Sequence, residues 1–168
     1  GLRVISVGYK SNNSDLNGLC FIGFVVIKDE IRDNAKDGIK LVNDAHIQTV
    51  MITGDDKSTA SSIGREIGLV NSINDIILTH DDLEKMTDTN ISKIIPNLKI
   101  VARALPTDKS RLVKICQSMG LVVGMTGDGV NDAPALKQAE LGFAMGSGTE
   151  VAKAAGDIVI MDDNIQSI

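Results

Sequence analysis

The chain has 168 residues, of which 43% are hydrophobic but only 2% are aromatic, and its net charge is −5 at pH 7. This length fits one domain with its own core, and a core without aromatics must use Val, Ile, Leu, Ala and Met, as parallel α/β sheets do. The acidic balance and the lack of a basic run argue against a nucleic-acid surface. The longest apolar run, residues 18–27, is shorter than the ~20 residues that cross a bilayer.

Cysteine and histidine are too few and too scattered to form a redox or metal motif. Cys20 and Cys116 form no close pair, which predicts buried thiols in a reducing compartment. His46 and His80 lack Cys or His neighbours and are predicted to lie at the surface or in loops. No Ser–His–Asp or Cys–His arrangement can be assembled from them, so any nucleophile should be a carboxylate.

Helices are predicted where apolar residues recur three or four positions apart, and strands where short apolar or β-branched runs end in polar residues. The first half of the chain begins with a predicted strand at residues 2–9, a polar turn at 11–15 and a buried strand at 19–27. A helix at 33–45, a short strand at 49–52 and a helix that stops at Gly68 are predicted to follow. The half ends with a weak strand at 76–78 and a short helix through Met86. Thr79 and Asp82 are spaced as the capping box of that last helix.

The second half continues the alternation. It predicts a strand at residues 100–102, a helix opened by Pro106 and closed by Gly120, a strand at 121–126, a helix from Ala133, a strand at 141–144, a helix from Glu150 and a strand at 158–161. The inner face of the helix after Pro106 is predicted to comprise Leu112, Val113, Ile115, Cys116 and Met119. Strand–helix alternation throughout predicts an α/β fold with a doubly wound, mostly parallel sheet.

Polar residues follow three of these strands, at the edge where such a sheet binds ligands. The three groups are Thr53-Gly54-Asp55, Arg103 with Lys109 shortly after it, and the stretch Thr126-Gly127-Asp128 through Asp132. Glycine after a strand lets backbone N–H groups approach an anion, and threonine adds a hydroxyl donor. Arg103 could reach the same edge or be solvated.

Asp128 and Asp132 decide whether this edge is a metal site. If both face one pocket, their mutual repulsion requires a cation, and all-oxygen ligation suits Mg²⁺. The alternative makes Asp132 the N-cap of the helix that begins at Ala133 and leaves Asp128 in a solvated loop. The sequence leaves both interpretations open.

Lys109 falls in the first turn of its helix, where the positive end of the helix dipole disfavours a cation. A bound anion opposite Lys109 would explain its position, but the neighbouring Asp108 could also offset the cost. Two further polar segments are predicted to be structural. Residues 145–150 form a tight strand-to-helix turn with Ser147 or Thr149 as helix cap, and Asp162-Asp163 is a solvated loop.

Several motifs resemble those of the haloacid-dehalogenase-like phosphotransferases, and within them the P-type cation-transporting ATPases, with closest similarity to the calcium-type branch. MTGDGVNDAPALKQAELGFAMGSGTEVAK, residues 125–153, resembles the hinge motif of the family. MITGD at 51–55 resembles its second motif, and VARALPTDKSRLV at 101–113 resembles the segment that carries its lysine. GLRVISVGYK at 1–10 resembles the strand that returns from the nucleotide-binding domain, and DDNIQSI at 162–168 the residues before a membrane stalk helix.

The resemblance implies an aspartyl-phosphate cycle that uses ATP and Mg²⁺. Thr53 and Lys109 would hold the transferred phosphoryl group, Asp128 would ligate Mg²⁺, and Asp132 would support that site. The positions that would contact the nucleotide cofactor are Gly54, Asp55, Arg103 and Asn131. Residues 1–17 would end the nucleotide-binding domain, and residues 18–168 would form the C-terminal part of the phosphorylation domain.

The chain departs from the family at two places. Asp29 and Arg32 occupy the positions of the family's Asp-Pro-Pro-Arg turn, but both prolines are absent. The Asp-Lys-Thr-Gly-Thr motif with the phosphorylated aspartate does not occur anywhere in the sequence; residues 56–59, Asp-Lys-Ser-Thr, lack its Gly-Thr. In the family fold that motif rides on a central strand, so a seam is expected between the strands at 49–52 and 121–126. An unpaired edge there invites another strand, including self-association.

The resemblance therefore implies part of a cytoplasmic domain of an integral membrane cation pump. Its partners would be the nucleotide-binding, actuator and membrane domains of the same pump, and the chain alone would be inactive. Two alternatives are a stand-alone soluble phosphatase of the same superfamily, which the missing nucleophile disfavours, and a non-catalytic module that binds phosphate or Mg²⁺.

Overall fold

The computed structural model describes residues 3–10, 18–27, 31–32 and 34–168. Its contacts divide the chain into two compact units, Gly1–Ile31 and Arg32–Ile168. The predicted polar turn at 11–15 and the predicted role of Asp29 lie outside the described residues. The division of the chain into parts of two pump domains at residue 17 stays a prediction.

The first unit contains an antiparallel hairpin. Strand β1 (Arg3–Tyr9) pairs with β2 (Cys20–Ile27), and the register shifts between Val7 and Gly8. Both strands were predicted, but β2 is exposed along nearly its whole length rather than buried. A two-stranded sheet covers neither of its own faces, so its apolar side chains remain in solvent. The predicted burial of Cys20 is likewise wrong, because Cys20 is exposed.

The second unit alternates strands and helices, as predicted. Its strands are β3 (Met51–Ile52), β4 (Ile76–Thr79), β5 (Leu98–Ala102), β6 (Gly124–Gly127), β7 (Leu141–Met145) and β8 (Ile158–Ile160). Its helices are α1 (Ala35–Asp44), α2 (Lys57–Glu66), α3 (His80–Glu84), α4 (Asp88–Ile94), α5 (Pro106–Ser118), α6 (Ala133–Gln138) and α7 (Glu150–Ala155). Short 3₁₀ turns lie at Ile95–Asn97, Val130–Asp132 and Ile165–Ser167. None of the helices within the described ranges has the length and apolar character to span a membrane.

These strands form two parallel sheets rather than one. The first has the order β3-β5-β4 and the second the order β6-β7-β8, with Met51 beside Ile100 and Thr126 beside Phe143. Among the described strands, β3 pairs only with β5 and β6 only with β7. The predicted α/β fold with parallel strands is therefore confirmed, and no strand of the described residues joins the two sheets.

Helix α5 belongs to the cores of both sheets. Leu112 and Ile115 are buried in the core of the first sheet, and Val113 is buried with Met125 and Leu136 in the core of the second. The predicted inner face is confirmed at these positions, whereas Met119 at the helix end is 38% exposed. One helix thus links two sheets that share no backbone ladder.

Three local predictions differ from the structure. Strand β6 begins at Gly124, because the chain leaves α5 through a loop in which Val122 is 80% exposed. Helix α4 was not predicted, although Thr87 caps it by accepting from the N–H of Asn90. The capping box at Thr79 and Asp82 is confirmed, but α3 ends at Glu84 rather than Met86.

A cavity of about 170 Å³ is lined in part by residues of β6 and β7. Its walls are mostly apolar and include Ile39 of α1, Ile67 after α2, Thr126 of β6 and Ile165. The last 3₁₀ turn closes one side, since a Cβ on Gly38 of α1 would lie 1.9 Å from the side chain of Ile165. The structure thus keeps space next to the edge strand that the sequence predicted to be unpaired.

Candidate functional site

The centre of the candidate site is the carboxylate of Asp132, which ends the 3₁₀ turn after β6. Asp132 Oδ1 accepts a hydrogen bond from Nζ of Lys109. Asp132 Oδ2 accepts the backbone N–H groups of Asp128 and Gly129, each at 3.1 Å. Asp132 is only 5% exposed, so almost all of its hydrogen-bonding capacity is met inside the protein. Asp132 is the N-cap residue of α6, as one of the two interpretations predicted, but its side chain makes no cap hydrogen bond to that helix.

Lys109 reaches this carboxylate from the first turn of α5. Its side chain is 17% exposed, which places a charged ammonium in a largely desolvated position. The anion that offsets the helix dipole at Lys109 is therefore Asp132, which lies 23 residues further along the chain. Asp108, the alternative that the sequence left open, accepts from the backbone N–H of Leu105 and adds a second negative charge to the first turn of the helix.

Burial of Asp132 would raise its pKa, because the charged form loses hydration. The hydrogen bonds from Lys109 and from the N–H groups of Gly129 and Asp128, together with the lysine charge, outweigh this effect. The pKa of Asp132 is therefore held below its ordinary value of 3.8, and the residue is a carboxylate at neutral pH.

Gly127, the last residue of β6, is packed against Asp132 so closely that a larger side chain would not fit. A Cβ on Gly127 would lie 2.4 Å from the Cβ of Asp132. The loop between β6 and Asp132 is also fastened to the start of α7, because the N–H of Thr149 donates to the carbonyl of Asp128 at 2.8 Å. The backbone is thereby fixed while the side chain of Asp128 remains exposed.

The Thr53-Gly54-Asp55 group is organised differently. The Thr53 hydroxyl donates to Asp55 Oδ2 at 3.1 Å, and the Asp55 N–H donates back to the hydroxyl oxygen at 3.1 Å. Arg103 joins this turn through its backbone, since its N–H donates to the carbonyl of Asp55 at 2.8 Å. Arg103 has φ 50°, a left-handed conformation that is uncommon for an arginine.

The structure thus groups the predicted residues into two contacting sets. The first set is Thr53, Asp55 and Arg103; the second is Lys109, Asp128 and Asp132. Gly54 and Asn131 lie in the loops of these sets and are exposed. Arg103 lies just before α5, and Lys109 lies in the first turn of that helix. One short segment of the chain therefore carries a residue of each set. That they share one phosphate pocket stays a prediction.

The carboxylates of the loop after β6 suit a cation that takes most of its ligands from water and from a substrate phosphate. Asp132 is already engaged by Lys109 and two amides, which leaves Asp128 as the exposed carboxylate of the loop. In the described ranges, no three His, Cys, Asp or Glu side chains are grouped as a metal site. Mg²⁺ commonly binds one or two carboxylates and completes its shell with water and substrate phosphate, so a single Asp128 fits it.

Sequence reasoning missed a second buried carboxylate beside the site. Asp108 is 4% exposed, and its Oδ2 lies 2.8 Å from Nδ1 of His80. His80 was predicted to be a surface or loop residue, but it begins α3 and its side chain is 25% exposed. An acid at the third position of a helix is a signal for capping. Nothing in the sequence indicates that His80, 28 residues away, contacts Asp108.

The two segments predicted to be structural are confirmed in that role. Thr149 caps α7 by accepting from the N–H of Ala152. Asp162 and Asp163 shape the turn after β8: Asp163 accepts from the N–H of Ser147 at 3.1 Å, and Arg32 donates to its carbonyl at 2.5 Å. The Arg32 side chain thereby holds the C-terminal segment.

Comparisons with known proteins agree with this fold. A family model described as haloacid dehalogenase-like hydrolase matches residues 13–140. The chain therefore belongs to the haloacid dehalogenase-like hydrolase family.

Within that family the relatives are P-type pumps, which confirms the resemblance predicted from the motifs. The chain is 45% identical to calcium-transporting ATPase 1 of Bacillus cereus over 99% of its own length and 20% of that protein. It is 43% identical to a calcium-transporting ATPase of Listeria monocytogenes, again over 99% of this chain and 20% of the relative. An endoplasmic reticulum calcium ATPase of Aspergillus fumigatus is 41% identical over 89% of this chain and 16% of its own length. The chain spans about a fifth of the length of the curated relatives that it matches.

The Asp132→Asn substitution should destabilise the chain in a pH-dependent way. It leaves the Lys109 ammonium buried without an anion, which should lower the free energy of unfolding by about 3 kcal/mol at pH 7. Because the folded pKa of Asp132 is depressed, its stabilising charge is present above pH ~4 and is lost as the pH falls through the folded pKa. Urea unfolding of both proteins at pH 7 and at pH 3 should show the difference shrinking at the lower pH.

The matched control is Asp128→Asn, the same change at an exposed carboxylate of the same loop. It should alter the free energy of unfolding by less than ~0.5 kcal/mol. An equal cost for the two substitutions, or a difference that does not change with pH, would contradict the assignment of Asp132 as the buried partner of Lys109.

Two glycines of equivalent motifs should respond differently to alanine. Gly127→Ala places a methyl group against Asp132 and should cost about 1–3 kcal/mol of unfolding free energy, since neither the loop nor the Lys109 contact can move freely. Gly54→Ala should be near neutral, because no atom lies within 4 Å of the added Cβ. Urea denaturation of the two variants measures both values, and equal costs would show that the loop after β6 is not closely packed.

Proposed function

We propose that this chain is part of the phosphorylation domain of an ATP-driven calcium pump and supplies its Mg²⁺-binding and phosphoryl-binding residues. The observation that carries the proposal is the Lys109–Asp132 contact, which places a desolvated ammonium next to a loop that presents the exposed Asp128. Phosphoryl transfer needs positioned positive charge more than covalent assistance, and this arrangement supplies it. The two alternatives, a stand-alone phosphatase and a non-catalytic module, gain no specific support from the structure.

Each residue then has a defined role. Lys109 donates to equatorial oxygens of the phosphoryl group, while Asp132 keeps the ammonium in place. Asp128 holds Mg²⁺, which would offset the charge of the phosphate when bound. Thr53 contributes its hydroxyl, and the nucleotide side of the site comprises Gly54, Asp55, Arg103 and Asn131.

The nucleophile must come from a segment outside residues 1–168, because no Asp-Lys-Thr-Gly-Thr occurs here. The edges of β3 and β6 that no strand of the described residues covers are suited to receive a parallel strand, which would join the two sheets into one. The apolar cavity beside β6 could receive a side chain of that strand. A strand at this place would bring its nucleophilic aspartate to the edge of the sheet where β3 and β6 end.

Calcium as the transported ion follows from the relatives, which are calcium-transporting ATPases by name. The rest of such a pump would include nucleotide-binding, actuator and membrane domains, and the chain would belong to its cytoplasmic side. Self-association through the free sheet edges is the expected behaviour of the chain when that remainder is absent.

The site should bind Mg²⁺ weakly in the isolated chain, through Asp128. Titration with MgCl₂ in the presence of inorganic phosphate should shift the ¹H–¹⁵N resonances of residues 127–129 and 109. Asp128→Asn should abolish these shifts, whereas Asp37→Asn, a change at an exposed acid in α1, should leave them intact. Equal loss in both variants, or shifts elsewhere only, would overturn the assignment of Asp128 as the metal ligand.

The isolated chain should not become phosphorylated. Incubation with γ-labelled ATP and Mg²⁺ should give no acid-stable label, since the chain lacks the nucleophilic aspartate. Label on the longer protein, lost when Lys109 is replaced by Ala, is the expected positive result. Acid-stable label on the 168-residue chain that hydroxylamine removes would show that one of its own carboxylates is the nucleophile, because hydroxylamine cleaves acyl phosphates and not phosphoserine or phosphothreonine.

A further inference from the structure

We infer that His80 and Asp108 form a positioning pair that holds the first turn of α5 so that Lys109 is presented at the phosphoryl site. This inference rests on the proposed function for its meaning, but its geometry is independent of any ligand. Within the described part of the chain, Asp108 and Asp132 are the only buried charged residues. Both are neighbours of Lys109: the Asp132 carboxylate contacts its ammonium, and Asp108 is the residue before it in the sequence.

The contact between His80 and Asp108 is a charge-assisted hydrogen bond. Nδ1 of His80 lies 2.8 Å from Oδ2 of Asp108, and the same oxygen accepts the N–H of Leu105 at 2.8 Å. A carboxylate has no proton to donate, so Nδ1 of His80 carries the hydrogen in this contact. One oxygen thus joins the start of α3, the residue before α5 and the first turn of α5.

This oxygen fixes the direction in which α5 begins. Asp108 is the third residue of the helix, where its charge also favours the helix dipole. Lys109 follows directly, so a rotation of the first turn would move its long side chain away from Asp132. Loss of the His80 bond would leave the buried Asp108 partly unsatisfied and would permit that rotation.

A second attachment holds α5 to its neighbours two residues after Lys109. Arg111, also on α5, donates to the carbonyls of Leu83 and Met86 at 2.9 and 2.7 Å and contacts Asp88. These bonds hold the middle of the helix against α3 and α4. The turn that contains Lys109 is held by other contacts, among which the bond between His80 and Asp108 is the one that joins it to α3.

The test measures how fast Lys109 is acetylated by a water-soluble amine reagent, with each lysine followed by mass spectrometry in the folded chain. His80→Ala should raise the rate at Lys109 by about tenfold, as expected when one charge-assisted bond is lost. His80→Asn should restore a slow rate, because its amide N–H lies near the position of Nδ1. Lys114, on the same helix but away from the pair, should react at an unchanged rate in each variant.

His46→Asn is the matched control, since His46 is exposed and its φ of 60° is one that asparagine tolerates. It should leave every lysine unchanged. If the His80→Ala variant does not fold, Asp108→Asn is used in its place. The asparagine keeps an oxygen for the N–H of Leu105 but weakens the bond to His80. The acetylation rate at Lys109 should then rise by a smaller factor. The inference is overturned by an unchanged Lys109 rate, by an equal rise at Lys114, or by failure of His80→Asn to restore it.

A second arm separates this inference from the proposed function. Mg²⁺ with inorganic phosphate should slow the acetylation of Lys109 in the unsubstituted chain if a phosphoryl site is present. Absence of that protection counts against the proposed function alone, because the effect of His80 on Lys109 is measured without ligand.

Discussion

The contact between Lys109 and Asp132 is the constraint on which the rest of the second unit depends. It joins the helix that follows the first parallel sheet to the loop that follows the first strand of the second sheet. Because β3 and β6 share no ladder, the two halves meet through α5, which buries Leu112 in one core and Val113 in the other. A buried ion pair adds little stability for its desolvation cost, but it penalises every arrangement that separates its partners. The pair therefore specifies how the two sheets face each other more than it stabilises either of them.

Much of the second unit could be predicted because its signals are local. Strand–helix alternation, the stop at Gly68 and the capping box at Thr79 each depend on residues within a few positions of one another. The errors have non-local causes. An apolar run such as residues 19–27 is typical of a buried strand, but burial depends on a second layer, and the hairpin of β1 and β2 has none of its own. Leu121 and Val122 likewise have strand composition, yet they lie in the exposed loop that leaves α5.

The site residues could be named from the sequence, but not their partners. Asp132 precedes a helix with proline in its first turn, so its sequence fits an N-cap as well as a buried ion pair. Only the fold shows that its carboxylate turns back to Lys109 and to the amides of the preceding loop. His80 and Asp108 illustrate the same limit, since the contact joins residues whose local sequences suggest a loop and a helix cap. Local patterns indicate which residues are polar at a strand end, whereas pairing depends on how the helices between the strands cross.

The two Thr-Gly-Asp tripeptides show how one sequence acquires two roles. After β3, the aspartate accepts from its own threonine, and the backbone N–H of Arg103 donates to the carbonyl of that aspartate. After β6, the N–H of Asp128 is taken by Asp132 and its carbonyl by Thr149, so the backbone is fixed while the carboxylate stays exposed. Gly127 is required by contact with Asp132, whereas Gly54 faces open space. For the Mg²⁺ site that we propose, the second copy is the better suited of the two, because a rigid loop presents an exposed ligand without having to order it on binding.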